Sequence, residues 1–162
     1  MLTQLELKRV WNYNPATGLF TRLMSNNNFV KVGDIAKSHN GEGYVQIGIN
    51  RIYYGAHRLA FLYMIGKWPD IQCDHINGIR DDNRWDNLRQ ATKTINAQNT
   101  HGLRTDNTSG YAGVTWSKQK QKWDAQIKVN SKTIHLGFFD CKHQAGAYRL
   151  QKKRELHEGC TI

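Results

Sequence analysis

Polar and apolar positions alternate in short, readable blocks along the first half of the chain. Residues 3–11 (TQLELKRVW) place Leu5, Val10 and Trp11 at loosely helical spacing behind Thr3, whose hydroxyl can accept from the free backbone N–H groups of a helix start, so a helix is expected there. YNPATGLF (13–20) reads as a turn between two extended segments, because Asn, Pro and Gly each favour turn backbone. Residues 21–43 are polar and rich in Asn and Gly. YVQIGI (44–49) and RIYYGAH (51–57) alternate as paired strands do, with Asn50 and Arg51 at the tight turn between them. HRLAFLYMI (57–65) is a short apolar helix stopped by Gly66 and Pro69, and its composition puts it in a core.

Beyond residue 70 the pattern changes. Residues 70–100 mix a short strand, a polar loop and a helix over 93–99, and 101–109 (HGLRTDNTS) has the composition of a linker. Residues 110–157 carry three strand patterns, YAGVTW, WDAQIKV and TIHLGFF, then a final helix in KHQAGAYRLQKKREL. A three-stranded sheet cannot bury both faces alone, so that helix is expected to cover one of them through Ala145, Tyr148, Leu150 or Leu156. The expectation is an α+β chain with two small cores, in residues 1–105 and 106–162.

Charge narrows the choice of partner. Lys and Arg total 23 against 13 Asp and Glu, giving a net charge of +10 and a pI near 9.7, and the excess runs through both halves of the chain. That balance points to a polyanion, nucleic acid first. Cys73, Cys141 and Cys160 are odd in number and form no C-x-x-C pair, which argues against a four-cysteine zinc site or a disulfide framework and fits a reducing cytosol. No apolar signal-peptide core opens the chain, and no stretch approaches the roughly 18 apolar residues of a membrane span, so a soluble cytoplasmic protein with no membrane partner is expected.

The segment CDHINGIRDDNRWDNLRQATKTINAQNT (73–100) carries the candidate chemistry. Asp74 and His75 follow a strand-like IQC, and a pleated strand turns consecutive side chains to opposite faces, so one can hold a metal while the other meets a substrate. Ile76-Asn77-Gly78 turns the chain, Asn87-Leu88-Arg89 reads as a short returning strand, and Thr92 opens a helix on which Asn96 and Asn99 share a face. Hydrolysing a phosphodiester needs a water, a base that is unprotonated near neutral pH and a cation to stabilise the phosphorane. Histidine can be that base, and Asp74 and Asn96 offer hard oxygens suited to Mg²⁺ or Mn²⁺. A calcium loop is a poorer match, since DHINGIRDDN lacks the required order of acidic residues and the closing Glu.

These residues resemble the HNH, or ββα-metal, endonucleases of phage and homing type, whose motif runs D-H-x-[DN]-G, then N-L-R, T and a spaced N-x-x-N; the lead-in YVQIGI…AHRLAFLYMIG extends the resemblance to about 44–100. The resemblance implies a general base at His75 and metal ligands at Asp74 and Asn96, around one Mg²⁺ or Mn²⁺ per active site. It also implies a middle asparagine, Asn87, that braces the loop and orients the histidine. One departure from the strict pattern is Asn96 in place of a third-position His, which disfavours zinc. Arg58, Arg80, Arg84 and Arg89 are candidates to line a phosphate path, whereas His39, His101, His135, His143 and His157 lack a partner at ligand spacing.

In residues 109–140 lysines and aromatics interleave. The sheet face left uncovered is expected to carry Trp116, Lys118, Lys122, Trp123, Gln126, Lys128 and His135, with Lys on phosphates and Gln on base edges in the major groove. Tyr111, Gly113, Val114, Trp123, Ile127, Leu136, Gly137, Phe139, Ala147 and Tyr148 together resemble the Apetala-two/ethylene-response-factor DNA-binding domain, a module that accompanies phage HNH nucleases. Ala112 and Thr115 stand where the plant proteins place base-reading Arg, so the resemblance implies a fold and not a target sequence.

The expected protein is therefore a ββα-metal nuclease domain followed by a three-stranded antiparallel sheet packed on a C-terminal helix. It would cut double-stranded DNA with a divalent ion and no small-molecule cofactor, in the cytoplasm of a bacterial host if phage-encoded. A catalytically inactive, sequence-specific DNA-binding protein built from the same modules is the alternative, with an RNA-directed protein behind it. Target sequence, nicking against double-strand cleavage and oligomeric state stay open.

Overall fold

The structure, a computed structural model, describes residues 1–25, 30–99, 103–158 and 160. Its backbone divides into two compact units, Met1–Thr92 and Lys93–Ile162. His101 and the opening of the linker stretch 101–109 lie outside the described residues.

In the first unit, helix α1 (Gln4–Val10) starts with a reciprocal cap: the Glu6 N–H donates to Thr3 Oγ1 at 3.3 Å, and the Thr3 N–H donates to Glu6 Oε2 at 2.8 Å. Strands β1 (Trp11–Asn14) and β2 (Leu19–Arg22) form the hairpin expected around YNPATGLF and turn Trp11, Tyr13 and Phe20 inward. Strands β3 (Ser38–His39), β4 (Val45–Ile49) and β5 (Ile52–Gly55) make an antiparallel sheet in that order. Asn50 and Arg51, at φ 52° and 66°, supply the left-handed pair that a two-residue hairpin turn demands. Helix α2 (Ala56–Ile65) ends with Gly66 as its cap and buries Leu59, Ala60, Phe61 and Leu62 in one cluster with Leu7, Phe20 and Ile47. Strands β6 (Gln72–His75) and β7 (Leu88–Ala91) pair antiparallel, and Leu88 joins the same cluster, which anchors the hairpin bearing the polar motif.

The second unit contains the short helix α3 (Lys93–Gln98), on which Asn96 is half-buried. Strands β8 (Val114–Ser117), β9 (Lys122–Val129) and β10 (Lys132–Phe139) form an antiparallel sheet with β9 at its centre, and helix α4 (Lys142–Leu156) packs on one face. The buried centre of that packing is small: Val114, Ala125 and Ala145, joined by Tyr111, Trp123, Leu136 and Phe139. Small residues let the helix come close, and a Cβ on Gly146 would stand 2.2 Å from Tyr111 Cδ1. Of the helix positions anticipated for this contact, Ala145 is fully buried and Tyr148 meets the Phe139 ring with centroids 5.5 Å apart, whereas Leu156 is exposed.

Strand register corrects one expectation. Val114 pairs with Ala125 and Trp116 with Trp123, so both tryptophans lie on the side of the sheet that carries α4. Trp123 packs onto the buried cluster, and Trp116 meets it edge-on at 5.2 Å. The period of two sends Lys122, Gln126 and Lys128 to the opposite, open face, where Thr115, Thr133, His135 and Phe138 accompany them. A strand cannot present Trp123 and its neighbour Lys122 on one face, so the two tryptophans leave the set assigned to the open surface. Lys118 sits exposed in the β8–β9 turn.

Candidate active site

The β6–β7 register sets Asp74 opposite Arg89 and His75 opposite Leu88. Asp74 is only 6% exposed, and a carboxylate withdrawn that far from water requires charge-assisted bonds. Arg89 supplies two, from Nε and Nη2 to Asp74 Oδ2 at 3.0 and 2.8 Å. Arg84 holds Asp82 in the same way, at 2.8 and 2.6 Å, and that pairing brings the Asp82 carboxyl down to about 2. Two of the four arginines nominated for phosphate are thus engaged with carboxylates. Arg80 donates to the Glu42 carbonyl at 2.5 Å and lies over the Tyr44 ring, and Arg58 is half-buried on α2; neither forms an ion pair among the described residues.

His75 is 4% exposed, and its Nε2 lies 3.1 Å from Asn83 Oδ1. The orientation of that amide is fixed from its other end, where Asn83 Nδ2 donates to the Asp81 carbonyl at 3.1 Å. An amide oxygen only accepts, so the imidazole proton sits on Nε2 and Nδ1 is left as the ring's basic nitrogen. Burial lowers the His75 pKa; the Asn83 bond and the carboxylates of Asp74, Asp82 and Asp81 oppose it without cancelling it, so the ring is neutral at pH 7.

Asn87 acts one step behind this pair. Its Oδ1 accepts from the Asn77 N–H at 2.9 Å, while its Nδ2 donates to Asn77 Oδ1 at 3.0 Å and to the Asp82 carbonyl at 2.7 Å. Asn77 Nδ2 in turn donates to Asp82 Oδ2 at 2.6 Å. Asn87 therefore braces the 76–86 loop, while the side chain that touches the histidine is Asn83. From the N-terminal hairpin, Tyr13 Oη donates to the Asn83 carbonyl at 2.7 Å and the Trp85 N–H to the Pro15 carbonyl at 2.9 Å, so the loop is strutted from a distant part of the sequence.

Aromatic rings surround this histidine within the first unit. The His57 ring stands edge-on to His75 with centroids 5.4 Å apart, and Tyr44 lies 5.2 Å from His57 and 5.8 Å from His75. Burial, with His75 and Arg58 nearby, pushes His57 down to about 4 from an ordinary 6.5. Its folded-state pKa is the lower one, so its contribution to stability is fully present above pH 6.5 and is lost as pH falls towards 4. Urea melts at neutral and mildly acidic pH are expected to differ by up to about 3 kcal/mol, and His57→Phe should flatten that dependence. A variant as acid-sensitive as the parent would assign the loss to other groups.

Asn83, His57 and Tyr44 carry no motif in the sequence that marks them as neighbours of His75. The donors nominated for a metal are the Asp74 carboxylate and the Asn96 amide, the latter on α3 in the second unit. Each offers a hard oxygen, a donor type suited to Mg²⁺ or Mn²⁺ rather than to a soft metal.

Among known proteins, the HNH endonuclease family matches residues 54–98. Protein 3.8 of Escherichia phage T7 is 32% identical over 84 residues, which span 52% of this chain and 68% of that protein. The solved structure of the HNH homing endonuclease I-HmuI, concerned with its DNA binding and cleavage, aligns with a TM-score of 0.41 at 20% identity, over 93% of this chain and 88% of the other.

Proposed function

The chain belongs to the family of phage T7 protein 3.8 and carries an HNH endonuclease domain, and from that premise we propose that it is a divalent-metal-dependent endonuclease of homing type that hydrolyses phosphodiester bonds in double-stranded DNA. The observation that carries the reading is the buried His75–Asn83 pair, which leaves a neutral imidazole with a basic Nδ1 one residue from a buried carboxylate. His75 takes the proton of the attacking water at Nδ1, and its bond to Asn83 keeps the ring in place as it becomes charged. Asp74, oriented by Arg89, and Asn96 would hold the ion, Mg²⁺ or Mn²⁺, one per active site. Such an ion, when bound, stabilises the charge that gathers on the phosphorane and the leaving oxygen. Asn87 keeps the loop closed on Asn83, and Arg58 and Arg80 are the arginines best able to meet DNA phosphates.

The family match runs past Thr92 to residue 98, which supports grouping α3 with the nuclease and taking residues 1–105 as the nuclease domain. Residues 106–162 are then an Apetala-two/ethylene-response-factor-like DNA grip, whose open face offers Lys122, Gln126 and Lys128, with Lys118 in the adjoining turn. Each lysine that neutralises a phosphate steepens the fall of affinity with salt by about 0.9 in the log–log slope.

The test is incubation of supercoiled plasmid with the protein and Mg²⁺, with EDTA, and with His75→Ala. One active site per chain favours open circle ahead of linear product. Cleavage should vanish in EDTA and fall about 10²- to 10⁴-fold in the variant; a variant that cuts as well as the parent removes His75 from the chemistry. Binding without cleavage by the parent, in Mg²⁺ or Mn²⁺, would instead favour the inactive DNA-binding protein.

A further inference from the structure

The open face of the β8–β9–β10 sheet carries a carboxylate that a surface built only to grip a polyanion would exclude. Asp124 lies on the central strand, on the same face as Gln126 and Lys128. Gln126 Nε2 donates to Asp124 Oδ2 at 2.8 Å, and His135 Nε2, across the strand pair, lies 3.1 Å from Asp124 Oδ1. The Asp124 side chain is only 17% exposed against 48% for His135, and Gln126 is also exposed. The carboxylate is thus the inner member of the group, and the amide and imidazole are the outer ones. Phe138 lies on the same face, with its ring 4.7 Å from that of His135.

We propose that Asp124, Gln126 and His135 form a base-reading cluster in which Asp124 is a positioning residue that sets Gln126 to read adenine in the major groove. This rests on the DNA-binding reading above and adds the residues that give it sequence preference. A carboxylate accepts and cannot donate, so only the NH₂ end of the Gln126 amide can face Asp124. The amide cannot flip: Oε1 points away, and one Nε2 hydrogen remains unspent. That order of donor and acceptor is the complement of adenine, whose major-groove edge presents an N7 acceptor beside an N6 amino donor. Holding the amide before DNA arrives reduces the side-chain entropy lost on contact. His135 Nε2 stands 3.1 Å from the same carboxylate, and Phe138 supplies the apolar surface that a thymine methyl group meets. Lys122 and Lys128 flank the cluster on the same face and would hold the backbone.

The test is selection of randomised duplexes by the full chain in EDTA, followed by titration of the selected duplex and its single-base variants. The parent should enrich a motif containing a required adenine, and changing that base should weaken binding roughly tenfold to a hundredfold. Gln126→Ala should lose the preference at that position alone. Asp124→Ala should weaken it, while Asp124→Asn, which keeps a carbonyl oxygen for Gln126 Nε2, should retain most of it. Lys128→Ala should weaken all duplexes alike. Equal discrimination by Gln126→Ala or Asp124→Ala overturns the cluster, as does a parent that binds duplexes salt-dependently but with no preference. A parent that binds no duplex defeats the DNA grip itself and the cluster with it. An alanine variant that lost its fold would lose every duplex together, and Asp124→Asn against Gln126→Ala then decides.

Discussion

Exchanging Asn83 for leucine is expected to slow DNA cleavage about a hundredfold to ten-thousandfold while leaving DNA affinity nearly unchanged. The substitution keeps the volume of a 2%-exposed side chain and removes the oxygen that lies 3.1 Å from His75 Nε2. Without it, nothing in this pair fixes the imidazole proton on Nε2, and a ring with its proton on Nδ1 cannot take one there. The Tyr13 bond goes to the backbone carbonyl of Asn83, so the loop keeps that strut in the variant. Asn83→Asp offers an acceptor in the same place and should retain more activity than the leucine variant. Single-turnover cleavage rates set beside equilibrium binding would separate the two effects; parental rates in Asn83→Leu would mean that the tautomer is fixed elsewhere.

The second large effect is expected at Gly18, remote in sequence from the 73–100 motif. Its φ is +74°, and an added Cβ would stand 2.4 Å from both Arg84 N and Asn83 C. Those are backbone atoms, with no flexible side-chain end to yield. Left-handed backbone costs alanine about 1 kcal/mol and relief of the overlap about 1–3 kcal/mol more. Gly18→Ala should therefore lower Tm by roughly 10–20 °C if the first unit melts as a domain of its own size. Because the overlap falls on the Asn83–Arg84 peptide, cleavage should suffer at temperatures where the fold survives. Gly41→Ala is the control, since a Cβ there meets nothing within 4 Å. A Gly18→Ala melt within a degree or two of the control would show that the loop can move aside at no cost.

Much of the architecture follows from local codes. The Thr3–Glu6 cap, the Asn50–Arg51 turn, the apolar run of α2 and the strand ending in Asp74-His75 are each written in a few consecutive residues, and each forms as patterned. Asn83 escaped because a loop asparagine that bonds a side chain eight positions earlier leaves no periodic trace; Asp-Asp-Asn reads as an ordinary solvated turn. His57 escaped for a related reason. It sits in the first turn of an apolar helix, and its approach to His75 is a product of tertiary packing. The tryptophans differ in kind: alternation along β9 already separates Trp123 from Lys122 and Gln126, and the clustering of aromatic and basic residues in sequence hides that separation.

The brace around Asn87 also bears on how the protein ages. Asn77-Gly78 is a dipeptide prone to deamidation, which begins when the glycine nitrogen attacks the asparagine side chain. In the folded loop the Gly78 N–H is bonded to the His75 carbonyl at 2.8 Å and the Asn77 amide is held by Asp82 and Asn87, so the two reacting groups are restrained from meeting. Should the loop open long enough to react, an aspartate at position 77 would confront the Asp82 carboxylate where an amide donor had been. Stored material would then decline through a one-dalton change that leaves its length untouched, beginning at the segment that positions His75.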